Sequence, residues 1–371
     1  MKKHHNIPRP RESIVLLLAE YIWMDGAEPT PQLRSKARVV SIDSSVPVVL
    51  ESFPQWSFDG SSTYQASGGD SDLILEPVRV IADPIRGAGH VLLLCEVVTP
   101  DGAPHVSNTR AKLRAALASA GAEQDPWVGF EQEYTLFAEN RPLGFPINGY
   151  PAPQGPYYCA VGVDRAFGRP LVEAHAAACL DAGLMLYGIN GEVMPGQWEF
   201  QIGYRGVDGE SADPLTVADH VWLARWLLQR LGENHGIVVS FAAKPMKGDW
   251  NGAGAHTNFS TRSMRRPGSG LRAIHDAISQ LAERHDYHIA NYGDGLADRL
   301  TGHHETARID EFRGGVADRG ASIRIPRPVQ ERGYGYLEDR RPGASCDPYR
   351  VCTVLIETVC GATAAAETRA A

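Results

Sequence analysis

The chain has 371 residues, 43% of them hydrophobic and 22% charged, with a formal net charge of −8. That length suits one large domain or two unequal ones. The acidic balance, with no basic run longer than Arg265-Arg266 or Arg340-Arg341, argues against a nucleic-acid binder.

At the N-terminus Lys2, Lys3, Arg9 and Arg11 precede the apolar run Ile14 to Ala19 in the manner of a signal peptide. The run is too short, Glu20 ends it, and no small-residue cleavage site follows. No stretch approaches the roughly 20 apolar residues of a membrane-spanning helix. A soluble, cytoplasmic protein is expected, with residues 1–12 a loose tail. Six scattered cysteines without a Cys-x-x-Cys pair fit reduced thiols rather than a zinc ribbon or a disulfide framework.

From residue 13 to about 100, short β-rich runs alternate with turn clusters: Ser13 to Trp23, Ala37 to Ile42, Val78 to Ile81 and Val91 to Val97. This predicts a small sheet domain over residues 13–104. Trp56 to Thr63 reads as a polar, ordered loop too long for a simple turn. Asn108 to Gly121 has Leu113, Ala116 and Leu117 at helical spacing and opens a larger domain, residues 105–371. Helices are expected over Pro170 to Ala182, Ala218 to Asn234 and Leu271 to Ala290, followed by glycine- and arginine-rich loops. Strands and helices do not alternate regularly, so an α+β fold is preferred to a doubly wound one.

Glu-x-Glu in the strand-like run Phe130 to Phe137 places Glu131 and Glu133 on one face, where they repel unless a cation lies between them. Glu192 and Glu199 flank a Pro195-Gly196 turn signal, so a hairpin can fold them onto one site. With Glu338 and His256 these residues make an oxygen-rich set with a single imidazole, suited to two hard cations such as magnesium or manganese. Arg319, Arg324 and Arg340 add guanidinium groups of the kind that bind phosphate oxygens. Metal-assisted chemistry on an anionic substrate is the expectation. Three familiar signatures fail: Asn251 to His256 lacks the Gly-Lys-Ser/Thr ending of a P-loop, His304-Glu305 has Arg308 where a zincin needs histidine, and no Gly-x-Ser-x-Gly elbow occurs.

Longer matches then come into view: Phe58-Asp59-Gly60-Ser61-Ser62-Thr63, Gly129-Phe130-Glu131-Gln132-Glu133-Tyr134, and the run Gly149 to Cys159. To these are added Asn190 to Glu199, Gly248 to Asn258, and Leu300 to Ala307. From about Ala19 to about Gly361 the chain resembles glutamine synthetase, in particular its type II, eukaryotic-like branch. The resemblance implies a small N-terminal β-grasp domain and a larger catalytic α+β domain with a curved antiparallel sheet, of the glutamine synthetase/guanidino kinase type.

It further implies one divalent ion (Mg2+ or Mn2+) held by Glu133, Glu192 and Glu199, and a second by Glu131, His256 and Glu338. The implied reaction joins ammonia to the γ-carboxylate of glutamate with ATP, through γ-glutamyl phosphate. Ions and arginines offset the charge of the transferring phosphoryl group. By resemblance Arg319, Arg324 and Arg340 serve the phosphates, Ser260 lies near the nucleotide, and Asn251, Gly252, His256 and Arg299 hold glutamate. Asp59 takes the proton from ammonium, within a pocket completed by Ser62, Tyr157, Glu192 and the flap residue Glu305. The Asp59 loop is implied to serve a neighbouring subunit, in a decamer of two stacked five-fold rings.

Two departures stand out. Tyr64 occupies a position where the family normally has glycine, so its phenol either reshapes the acceptor pocket or packs at a subunit boundary. Ser345 replaces an asparagine before Asp347-Pro348-Tyr349, putting loop hydrogen bonds at stake. The alternative to ammonia ligation is a ligase that joins glutamate's γ-carboxyl to a larger primary amine. A catalytically silent homologue is disfavoured by the complete ligand set, and a guanidino kinase by the Asp59 pocket.

Overall fold

The computed structural model describes residues 14–121 and 123–370; the loose tail expected for residues 1–12 lies outside them. Two compact units form, one from residues 14–26 with Gln32–Asn108, the other from Ala27–Pro31 with the chain from Thr109 onward.

The smaller unit is built on β1 (Ile14–Met24), β2 (Leu33–Asp43), β3 (Trp56–Asp59), β4 (Asp72–Ala82) and β5 (Val91–Val98). They form one sheet in the order β2-β1-β5-β4-β3, in which β1 and β5 run parallel and the other pairs antiparallel. The period of two is plain: Leu17, Ala19, Tyr21 and Trp23 of β1 bury one face together with Val91, Leu93, Cys95 and Val97 of β5. Each large side chain so buried contributes about 2 kcal/mol. The segment expected as a loop is half strand. Trp56–Asp59 pairs with β4, and only Gly60–Thr63 turns, as one turn of 3-10 helix capped by the Asp59 carboxylate.

In the larger unit a mixed sheet carries β6 (Trp127–Ala138), β7 (Arg141–Pro142), β8 (Leu186–Gly191), β9 (Gln197–Ile202), β10 (Val238–Ser240), β11 (Ala255–Ser260), β12 (Gly314–Val316), β13 (Ile323–Ile325) and β14 (Leu337–Asp339). The path is β12-β13-β14-β11-β6-β9-β8, with β7 and β10 pairing to β6. One expectation is corrected here: the sheet is not wholly antiparallel, because β12 and β13 run parallel.

The helices are α1 (Thr109–Ala116), α2 (Arg169–Asp181), α3 (Pro214–His235), α4 (Gly270–Glu283), α5 (His285–Ile289), α6 (Leu296–Arg299), α7 (Arg327–Arg332) and α8 (Pro348–Ala370). α1 is shorter than expected, passing into a wider π turn over Leu117–Gly121. The helix expected over 271–290 is interrupted at Arg284, whose φ of −112° and ψ of 24° leave the helical range. α3 begins a turn earlier than expected, since Asp213 caps it by accepting from Thr216 N at 2.9 Å and Pro214 fits its first turn. Its end is equally defined, by Gly236 at φ 61°. α8 was not anticipated. Val351, Cys352, Leu355, Ile356, Val359 and Cys360 recur on one buried face, a helical pattern half concealed by cysteines. All six cysteines are unpaired.

α3 lies under β6. From β6, Phe130, Gln132, Tyr134 and Leu136 point into this buried layer, leaving Glu131 and Glu133 on the opposite face. Gln132 is gripped by Arg225 of α3, whose Nε donates to Gln132 Oε1 at 2.9 Å and whose Nη1 donates to the Cys346 carbonyl at 2.8 Å. Gln132 in turn donates to the carbonyls of Glu133 and Ala344. A buried polar clasp thus fixes, from behind, the strand that presents the two glutamates. No helix among the described residues is long and apolar enough to cross a membrane.

Candidate active site

Register assembles a row of functional side chains across five adjacent strands. Glu199 on β9 faces Glu133 on β6, Glu131 on β6 faces His256 on β11, Asn258 on β11 faces Glu338 on β14, and Glu338 faces Arg324 on β13. Glu199, Glu133, Glu131, His256 and Arg324 of this row line a cavity of about 360 Å³, shared with Glu192, Asn251, Gly252, Arg299, Glu305, Arg319 and Arg340.

Each carboxylate is oriented. Glu133 accepts from Gly254 N at 2.6 Å, Glu131 from Asn258 Nδ2 at 2.9 Å, Glu199 from Gln201 Nε2 at 2.5 Å, and Glu192 from Asn190 Nδ2 at 2.8 Å. Glu338 receives Arg324 Nη1 at 2.6 Å and Arg340 Nη1 at 2.5 Å. Burial pushes Glu133 up to about 7 and Glu192 up to about 8, the latter helped by the charge of Glu133. Glu199 is also raised well above the ordinary carboxylate range, by burial and then by Glu131 and Glu133. Burial, followed by the charge of Arg340, drives His256 the other way and keeps it neutral. Such a set is short of positive charge on its Glu133–Glu199 side.

Divalent ions fit that deficit. Ligand atoms of Glu131, His256 and Glu338 lie within 4.8 Å of one another, and so do those of Glu133, Glu199 and His256. The first group is the one expected from sequence. In the second, His256 completes the tight cluster in place of Glu192, which lines the same cavity from the hairpin turn rather than from the strand ladder. Glu192 N donates to the Gln197 carbonyl there, and Gly196 turns the chain at φ 73°.

The glycine-rich run has a steric reason. A Cβ on Gly252 would sit 2.6 Å from Arg299 Cγ, and one on Gly254 2.4 Å from Arg299 Nη2. Only glycine lets the buried Arg299 side chain lie against this segment. From there Arg299 donates to His256 Nε2 at 3.1 Å and to the carbonyls of Arg340 and Arg341 at 3.2 Å.

The arginines differ in their engagement. Arg340 is buried and already committed, to Glu338, to the Arg319 carbonyl at 2.8 Å and to the Glu305 carbonyl at 3.4 Å. Arg324 keeps a buried Nε without a partner, and Arg319 reaches the cavity from an exposed position. An oxyanion fits the unsatisfied Nε.

One residue expected at the acceptor pocket does not line this cavity. Tyr157 is buried, its ring 6.2 Å from Phe167 and its hydroxyl donating to the Ala152 carbonyl at 3.4 Å, so it is Tyr158 that lines the cavity. Adjacent residues in extended or turning chain face opposite ways, which a sequence match alone cannot resolve. Ser260 lies in a second cavity of about 510 Å³ lined by Trp127, Tyr187, Tyr204, Arg265 and Tyr336. Asn258 borders this cavity and also holds Glu131, so the two cavities meet along β11.

Asn258 and Gln201 were not anticipated, although each follows a ligand by two residues on its strand and alternation would have found it. In the smaller unit Asp59 is exposed, accepting from Ser61 N at 3.0 Å, Ser61 Oγ at 2.6 Å and Ser62 Oγ at 2.6 Å. The Ser61 and Ser62 hydroxyls hold its carboxyl down at about 2. Tyr64 follows at φ 59°, the left-handed region that favours glycine, with its ring exposed. Ser345 keeps the loop bonds that were at stake: its Oγ accepts from Asp294 N at 3.1 Å and donates to the Asp294 carbonyl at 3.3 Å.

Comparison with known proteins places this arrangement. Residues 17–100 match the family model "Glutamine synthetase, beta-Grasp domain", and residues 107–290 match "Glutamine synthetase, catalytic domain". The chloroplastic glutamine synthetase of Chlamydomonas reinhardtii is 55% identical over 353 residues, covering 92% of this chain and 90% of its own length. The glutamine synthetase of Streptomyces viridochromogenes is 53% identical (93% and 97%), and that of Neurospora crassa 51% identical (98% and 96%). Among solved structures, "Apo GmaS without ligand" shares the fold, with a TM-score of 0.69 at 20% identity over 91% of this chain and 76% of that one. Matched by both domain models and 51–55% identical to these relatives over more than nine-tenths of its length, the chain belongs to the glutamine synthetase family.

Proposed function

We infer that the protein is an ATP-dependent glutamate–ammonia ligase, forming glutamine, ADP and phosphate through γ-glutamyl phosphate. The observation that carries this reading is the row from Glu199 to Arg324, which sets buried carboxylates and guanidinium groups against one cavity. Glutamate's γ-carboxylate is a poor electrophile until phosphorylated, and a cavity of this kind serves that step.

Glu131, His256 and Glu338 would hold one Mg2+ or Mn2+, and Glu133 and Glu199, with Glu192 beside them, a second. When bound, the ions supply positive charge to the carboxylate and phosphate oxygens. The remaining work is done by the chain's own groups. Arg299, fixed against Gly252 and Gly254, is aimed to grip the α-carboxylate of glutamate alongside Asn251. Arg319 and Arg324 face the phosphates, while Arg340 keeps Glu338, Arg319 and the Glu305 backbone in register. Ser260 and the aromatic cavity take the nucleoside, since a flat base suits Trp127 and Tyr336.

Ammonia arrives as a cation and must lose a proton. Asp59, held ionised by Ser61 and Ser62, supplies the attracting negative charge, and serves as the base only once those hydroxyls let go of the carboxylate, with Glu192, Glu305 and Tyr158 around the acceptor. We place the Asp59 loop in service of a neighbouring copy within a ring oligomer, a decamer of two pentamers. Exposed Ile147, Tyr150, Val161 and Val163 support self-association. The reading also keeps the protein in the cytoplasm, where its thiols stay reduced.

The larger-amine alternative is not favoured, because relatives at 51–55% identity over nearly the whole chain carry the name glutamine synthetase. The test is turnover with ATP, glutamate and Mg2+, ammonium being compared with a panel of primary amines. Glutamine formation is expected with ammonium, and product from an amine alone would overturn the assignment. Light scattering coupled to gel filtration tests the ring, a pentamer-pair mass being expected and a stable monomer refuting it.

A further inference from the structure

The segment before the flap residue Glu305 carries unusual backbone: His304 at φ 51° and Glu305 at φ 60° are consecutive non-glycine residues in the left-handed region. Such conformations persist only where surrounding bonds hold them. On the C-terminal side the hold comes from Thr306, whose Oγ1 donates to the His303 carbonyl at 2.9 Å and to the Arg299 carbonyl at 3.3 Å. On the other side the His304 ring is clasped between two partners, Gln154 Nε2 at 3.0 Å from Nδ1 and Asp249 Oδ1 at 2.9 Å from Nε2.

The proton positions follow from the backbone. Asn251 N–H donates to Gln154 at 2.8 Å, which fixes Oε1 on that side and turns the Gln154 NH2 toward His304 Nδ1 and toward Asn251 Oδ1, 3.3 Å away. Nδ1 must therefore accept, and the neutral ring carries its proton on Nε2, where it donates to Asp249. One continuous chain of hydrogen bonds thus runs from Asn251, on the glutamate side of the cavity, to the residue preceding Glu305, on its rim.

We propose that His304 is a positioning residue: clasped by Gln154 and Asp249, it holds the left-handed Glu305 segment against the cavity, so that water is kept from the acyl phosphate until the amine arrives. The proposal rests on the function inferred above. Failure of the clasp has a definite chemistry. Water oxygen attacks the γ-carbonyl carbon of γ-glutamyl phosphate, the carbon–oxygen bond to phosphate breaks with its electron pair going to phosphate, and a water proton follows. Glutamate and phosphate are returned and ATP is consumed without product.

The experiment measures phosphate released per glutamine formed, with thermal unfolding as a check on folding. Wild type is expected near one. His304→Leu, which abolishes both bonds, should raise the excess of this ratio over one about fivefold, as for the loss of a hydrogen bond at a positioned group. His304→Asn keeps an acceptor close to the place of Nδ1 and should restore most of the coupling. Asp249 has a side chain 99% exposed, so its bond is screened and Asp249→Asn should give a smaller rise than His304→Leu. Gln154→Leu opens the clasp from the other side without altering the flap sequence and should reproduce the rise, which covers the case of a poorly folding His304→Leu. An excess over one unchanged from wild type in both His304→Leu and Gln154→Leu overturns the proposal, as does His304→Asn behaving like His304→Leu. Glu305→Ala separates the two levels: if it uncouples the reaction while the clasp variants do not, the clasp is wrong and the function stands. If wild type makes no glutamine at all, the function itself is wrong.

Discussion

Without divalent cations, the larger unit should lose stability as the pH rises from about 6.5 to 8.5, because the cavity carboxylates are buried too close together to ionise freely. Glu133 is lifted to about 7 and Glu192 to about 8, from 4.5. Across that window the unfolded chain has already released these protons and the folded chain still holds them, so stability falls as the pH increases. It reaches its floor once the pH exceeds the folded values. Below about 6.5 the sign is mixed, since burial pushes His175 down to about 4 and His288 to about 3, and the unfolded chain takes up those protons first. Keeping above 6.5 removes that opposing effect. Between pH 6.5 and 8 the retained proton on Glu192 corresponds to about 2 kcal/mol. For a domain of this size that is a fall in Tm of roughly 4 °C.

Saturating Mg2+ replaces the protons as counter-charge, so the slope should flatten and protons should be released on binding. The assay is calorimetric or fluorescence-detected melting at fixed ionic strength, in EDTA and in Mg2+, with the difference between the two series cancelling the thiols that titrate near its upper end. Glu192→Gln supplies the internal control, since a neutral amide should remove part of the slope in EDTA. Equal slopes with and without Mg2+, or a Tm that climbs through the window in EDTA, would refute the electrostatic reasoning.

Glu133→Ala and Glu131→Ala should damage different steps, the first raising KM for glutamate and ammonium, the second KM for ATP; identical kinetic phenotypes would count against two separate ion positions. Tyr64→Gly should stabilise the smaller unit by about 1 kcal/mol by relieving left-handed backbone, and a lowered Tm would contradict this. Arg225→Met leaves Gln132 Oε1 and the Cys346 carbonyl without their donor and should cost about 3 kcal/mol in urea unfolding. A loss below about 1 kcal/mol would show that the clasp behind β6 is unimportant. Ser61→Ala removes a hydroxyl from Asp59 and should raise its pKa, read from NMR titration of the carboxyl carbon; no movement would mean that the serines do not hold the charge.

Much of this was legible in the sequence because it is local. The period of two across Glu131 and Glu133, the Pro195-Gly196 turn between Glu192 and Glu199, and the helical spacing within α1 to α4 depend only on bond geometry and neighbouring residues. What escaped was either masked by composition, as with cysteines on the buried face of α8, or decided by packing, as with the break at Arg284. Exact ligand partnership escaped as well. That Glu192 stands beside the tight cluster, and that Tyr158 rather than Tyr157 faces the cavity, depends on how a turn is seated against distant strands.

By itself the sequence determined the chemical inventory and its family: hard-metal ligands, phosphate-binding arginines and an acidic loop, in an order that few folds share. Only the tertiary structure decided which of these groups meet. Glu199, Glu133, His256, Glu338 and Arg324 come from five strands scattered over the larger unit, and it is the hydrogen-bond register between those strands that makes them neighbours. Register is a property of pairs of strands, so no single segment contains it. The same holds for His304, which in the chain is only the neighbour of Glu305 and whose clasp exists only because Gln154 and Asp249 are folded to either side of its ring.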